Sequence, residues 1–119
     1  MASRRTVQVG KLIKEELSGL LQREVKDPGL GFVTLTEVKV SPDLRSAQVY
    51  FSVLGDEAVA EESLSVLRRA AGFLRSELAG RLALRYIPEL NFVLDRSIEH
   101  GQRIESLLRQ IRDESSSEE

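Results

Sequence analysis

The chain of 119 residues has no cysteine and no tryptophan, one histidine, three prolines and 5% aromatic residues. Without cysteine there can be no disulfide framework, no thiolate metal site and no cysteine nucleophile. With so few rings, the core has to be built from Leu, Val, Ile and Ala. The apolar runs are far shorter than a membrane span, and no apolar secretory stretch follows Met1. A cytoplasmic protein is therefore expected. The lone His100, between Glu99 and Gly101, is read as a surface residue. HExxH and calcium-loop spacings, a phosphate-cradling GxxxxGK[ST] loop and a GxSxG elbow are all missing, so neither a metal, a cofactor nor an enzyme activity is expected.

Charge of both signs is plentiful, 17 basic against 19 acidic residues. The net charge of −2 conceals its distribution: "DESSSEE" at 113–119 carries four of the acids, and residues 1–112 carry a net +2. Arg4, Arg5, Lys11, Lys14, Arg23 and Lys26 crowd the first 26 residues, and Arg68, Arg69, Arg75, Arg81 and Arg85 crowd 68–85. A phosphate-binding surface needs such a local patch and not a basic whole. Solvated helix faces carry charge as well, so the arginines alone do not decide between the two.

Residues 1–6 are polar and read as a flexible arm. From Val7 to about Val25, Val9, Leu12, Ile13, Leu17, Leu20 and Leu21 recur at helical spacing. "KDPGLG" then breaks the helix. "FVTLTEVKV" (32–40) and "RSAQVYFSV" (45–53) read as strands, and "SPDL" between them places Pro42 at a favoured turn position, which predicts a hairpin. A helix follows from Glu57, with Leu64, Leu67, Ala71, Leu74 and Leu78 as its stripe. "RYIPELNFVLD" (85–95) reads as a third strand. Ser97 caps a last helix carrying Ile98, Ile104, Leu107, Leu108 and Ile111, followed by a disordered acidic tail from Asp113. The class is α+β, one domain over 7–112, with a three-stranded mixed sheet covered by helices.

"GLGF", Gly29 to Phe32, resembles the carboxylate-binding loop of PDZ domains. A long helix precedes it, however, and only two strands follow, so its glycines are read as a helix stop and the start of a strand. A module that captures a peptide or partner strand, at this segment or at a sheet edge, is the alternative to nucleic-acid binding.

The central helix poses the sharper question. "LRRAAGFLR" (67–75) puts Ala70, Ala71 and Gly72 in the helix interior, where glycine costs about 1 kcal/mol relative to alanine. Arg68, Gly72, Arg75 and Ala79 share one flank. The gap either receives another element of the same domain or admits a phosphate backbone beside the arginines.

"LLQREVKDPGLGFVTLTEVKVSPDLRSAQVYFSVLG", followed by "LRRAAGFLRSELAGRLALRYIPELNFVLDRSIEHGQRIESLL", resembles the ribosome-binding factor A family of bacteria, from about Arg4 to Ile111. The resemblance implies a single KH-like (type II) domain, α-β-β-α-kink-α-β with a C-terminal helix. In it the nucleic-acid loop of KH domains is replaced by an Ala-x-Gly kink, here Ala70-Ala71-Gly72, which would divide the central segment into helices 57–70 and 72–83. It also implies binding to the small ribosomal subunit (30S) and help with late maturation of 16S rRNA, without RNA cleavage. An assembly GTPase would be a further partner, and the chain would act as a monomer. From position and charge, Arg68, Arg69, Arg75, Arg81 and Arg85 would flank the kink, with Arg4, Arg5, Lys11 and Lys14 as a second basic surface. Reversing Arg68, Arg69 and Arg75 to Glu is expected to abolish subunit binding and leave the fold intact.

Overall fold

Helix α1, Arg4–Arg23, starts at a cap: the Ser3 hydroxyl accepts the Thr6 amide at 3.2 Å, and the Thr6 hydroxyl returns a bond to the Ser3 carbonyl at 2.8 Å. The computed structural model describes residues 3–95. The last helix expected from Ser97, His100 and the acidic tail lie outside the described residues. Because of the Ser3 cap, the helix begins three residues before the expected Val7. Arg4 and Arg5 therefore form its first turn and do not belong to a flexible arm. Apolar periodicity could not place this start, since Arg4, Arg5 and Thr6 are all polar, even though Thr6 is buried.

Three strands follow the pattern of the sequence: β1, Phe32–Val40; β2, Ser46–Leu54; and β3, Glu89–Leu94. Their order is β1-β2-β3, with β1 antiparallel to β2 and β2 parallel to β3, so the sheet is mixed. A short turn can only reverse the chain, whereas the helical crossover from β2 to β3 returns it in the same direction. One residue departs from strict alternation. The register skips Thr36 between Leu35 and Glu37, a bulge that lets Leu35 and Val38 both face inward.

The β1–β2 turn is held by its own side chains. The Leu44 amide donates to the Ser41 carbonyl at 2.9 Å, with Pro42 in the position expected, and Leu44 takes a left-handed conformation at φ 61°. The Asp43 carboxylate accepts from the Ser41 hydroxyl at 2.6 Å and from the Arg45 amide at 3.1 Å. These two bonds, the Ser41 hydroxyl first, hold the Asp43 carboxyl below its ordinary range. A carboxyl depressed in the folded state stabilises above its unfolded value and loses that contribution as pH falls through the folded one. Asp43→Asn should therefore lower the urea midpoint slightly at neutral pH and leave it unchanged in acid. A gap of equal size at both would exclude the carboxylate charge as its source.

Helix α2, Glu57–Arg81, is capped by Asp56, whose carboxylate accepts the Val59 amide at 3.0 Å. It runs unbroken through Ala70, Ala71 and Gly72, so the expected division into two helices is corrected. Two alanines are the best of helix formers, and Leu67 and Leu74, fully buried two turns apart, seat both halves on the same core. One glycine does not outweigh that. Both helices cover the same face of the sheet: α1 packs beside β1, and α2 beside β3 and β2. Ile13, Leu17, Leu20, Val49, Phe51, Leu67, Leu74 and Leu78 form the centre of the core. The result is the α+β, KH-like arrangement that the resemblance implied. No described helix is long and apolar enough to cross a membrane.

Candidate nucleic-acid interface

Beyond Arg81 the chain leaves the helix at Leu82, in extended conformation, and returns alongside the C-terminal half of α2 to the start of β3. Leu82 and Leu84 are half-buried against the core, and Ile87 and Pro88 are buried, which anchors the segment. Arg75 fastens it from the helix. Its Nε and Nη2 both donate to the Ile87 carbonyl, at 3.0 and 2.8 Å. Two charge-assisted bonds on one carbonyl tie the return segment to α2, so reversing Arg75 to Glu would remove this anchor along with the charge.

Between helix and return lies a groove of about 470 Å³, lined by Gly72, Arg75, Ser76, Ala79, Leu84, Arg85, Tyr86 and Ile87. Apart from Arg75, its helical wall is made of small residues. A Cβ built on Gly72 meets nothing within 4 Å among the described residues, so close packing against them does not account for this glycine. The space beside it is open, and Arg68, one turn earlier on the same flank, is exposed.

The predicted basic residues do not form one patch. Arg69 turns away to Asp27 at 3.6 Å, and Arg81 pairs with Glu77 at 3.5 Å. Arg85 lies over the Tyr86 ring, 5.5 Å from its centroid. Lys11 and Lys14 line a different groove of about 490 Å³, between α1 and β1, together with Lys39 and Glu37. Arg4 and Arg5 are exposed on the first turn of α1. The order β1-β2-β3 sets these two basic regions at opposite edges of the sheet.

Sequence reasoning missed Tyr86, Ser76 and Lys39. Tyr86 was absorbed into a strand beginning at Arg85, whereas β3 begins at Glu89, leaving Tyr86 on the return segment and 68% exposed. Its position beside an arginine, just after a helix, is the signal that could have found it. The "GLGF" glycines lie, as read, between the end of α1 and the start of β1 at Phe32. The Gly29 amide donates to the Asp27 carboxylate at 2.8 Å, Leu30 to the Asp27 carbonyl at 3.0 Å, and Gly31 to the buried Ser63 hydroxyl at 2.9 Å. Those three donors are committed internally and do not await a peptide carboxylate. Among the described residues no group of His, Asp or Glu is placed to hold a metal ion.

Comparison with known proteins agrees with this architecture. The family profile described as ribosome-binding factor A matches residues 5–108. A ribosome-binding factor A from Desulfitobacterium hafniense is 49% identical over 119 residues, covering 100% of this chain and 95% of the relative. The crystal structure of ribosome-binding factor A from Thermus thermophilus superposes with a TM-score of 0.69 at 29% identity, covering 77% of this chain and 97% of that one. A homology model of the Thermus factor, fitted into a cryo-EM map of its complex with the 30S subunit, matches with a TM-score of 0.65 at 30% identity, over 76% of this chain and 96% of that one. With the profile spanning nearly all the described residues and the same fold recurring in the solved relatives, the chain belongs to the ribosome-binding factor A family.

Proposed function

We propose that this protein binds the free 30S subunit in the cytoplasm and assists late maturation of 16S rRNA, gripping RNA with the groove between α2 and the return segment. The observation that carries the reading is the open, small-residue wall at Gly72 flanked by Arg68 and Arg85. A phosphate backbone needs close approach and adjacent cations, and both are present there. The Thermus factor in its 30S complex supports the choice of partner. The unbroken helix does not weaken the reading, because the approach is provided by the missing Cβ and requires no bend.

The lysines of the α1–β1 groove and the arginines of the first turn supply a second, weaker contact at the other edge of the sheet. The factor acts by binding as a monomer, leaves before translation and does not cut RNA. An assembly GTPase would meet it on the subunit. Sedimentation of the tagged protein with ribosomal particles from growing cells tests the reading: it should travel with free 30S subunits and be missing from translating ribosomes. Equal amounts on both would refute an assembly role.

A further inference from the structure

We infer that Tyr86 is a stacking platform for one unpaired RNA base in the α2 groove; the inference rests on the RNA-binding reading above and specifies the form of RNA taken. Tyr86 is 68% exposed and fills no place in the core. Solitary exposed rings are common on protein surfaces. This one is set apart by its support and by what it faces. The residue after it is held twice by Arg75, and both Ile87 and Pro88 are buried, so the backbone carrying the ring is fixed before any ligand arrives. The ring lines the groove whose helical wall includes Gly72, Ser76 and Ala79 beside Arg75, and the three small residues leave room for a flat group.

Charge is arranged to match. The Arg85 guanidinium covers one face of the ring, which strengthens the platform by cation–π attraction and leaves the other for a base. Arg68, a turn before Gly72, is exposed where the adjoining phosphate would pass. In an A-form duplex the bases already stack on one another and leave no free face, so a single ring of this kind selects unpaired nucleotides. The lysine-lined groove at the β1 edge has no aromatic side chain among its lining residues. It can hold phosphates but stack nothing.

The chain's own composition supplies the probe. It has no tryptophan and two tyrosines, and the other, Tyr50, is spent on a hydrogen bond to Gln48 at 2.8 Å on the outer face of β2. In the Tyr50→Phe protein Tyr86 is the sole source of tyrosine emission. A short unstructured RNA oligonucleotide should quench it, and the same strand annealed to its complement should not. Tyr86→Ala should weaken binding to free 30S subunits roughly tenfold, with Tyr86→Phe close to wild type and the salt dependence unaltered, because stacking releases no counterions. Unquenched emission, or Tyr86→Ala subunit binding at wild-type strength while the Arg68 and Arg85 reversals abolish it, would overturn the stacking role and leave the RNA-binding reading standing. If neither Tyr86→Ala nor the arginine reversals weaken binding, the groove is not the RNA site and both proposals fall.

Discussion

Gly10→Ala is expected to lower the melting temperature, although it replaces a poor helix former with the best one. On propensity alone the change should stabilise α1 by about 1 kcal/mol. The structure reverses the sign. A Cβ at residue 10 would stand 2.6 Å from the Val38 carbonyl oxygen. That oxygen belongs to the backbone of β1, whose register with β2 (Val38 opposite Val49) holds it in place. It cannot swing aside as the end of a side chain would. Either α1 lifts from the sheet, loosening Ile13 and Leu17, or the strand shifts. Overpacking of this kind costs about 2–3 kcal/mol, roughly 10 °C for a domain of this size.

Gly72→Ala is the matched control. The same substitution, also inside a helix, meets no atom within 4 Å among the described residues, so propensity acts unopposed by them. It should raise the melting temperature by about 3 °C, from a gain of 0.5–1 kcal/mol. Thermal melts followed by circular dichroism give both values. Two shifts of the same sign would contradict the close approach of α1 to β1, the opening beside Gly72, or both. Any loss of subunit binding in Gly72→Ala would then report a narrowed groove, since the fold is firmer.

Reversing Arg68 and Arg85 to Glu together should reduce affinity for free 30S subunits about a hundredfold, counting roughly tenfold for each charge-assisted phosphate contact. It should also flatten the salt dependence by about two phosphates' worth of counterion release. These two arginines are the informative pair because, among the described residues, neither ties one element of the fold to another. Arg68 makes no hydrogen bond or ion pair among the described residues, and Arg85 rests only on its neighbour Tyr86. Arg75 and Arg69 are poor probes, one tying down the Ile87 carbonyl and the other paired with Asp27. A double reversal with an unchanged melting temperature and unchanged binding would remove the groove as the RNA contact.

Much of the fold was legible before any coordinates. Alternation in "SAQVYFSV" and helical spacing in 9–21 are local signals, and burial of the matching faces bears them out at Val49, Phe51, Ile13 and Leu17. The parallel pairing of β2 with β3 follows from a helical crossover between them. The break expected at Ala70-Ala71-Gly72 did not appear, because a weak local propensity was overruled by leucines buried on both sides of it.

By itself the sequence determined the α+β class, the order of elements and the local concentration of arginine around 68–85, since these depend on periodicity and composition read along the chain. Only the tertiary structure decided which glycine is closed and which is open, and which arginines are committed to the fold. Gly10 and Gly72 look alike in sequence, each a glycine inside an amphipathic helix, and Arg69 and Arg75 look as available as Arg68. What separates them is a neighbour distant in sequence: Val38 against Gly10, Asp27 against Arg69, Ile87 against Arg75. Such contacts arise from how helices settle on a sheet, and no window along the chain contains both partners.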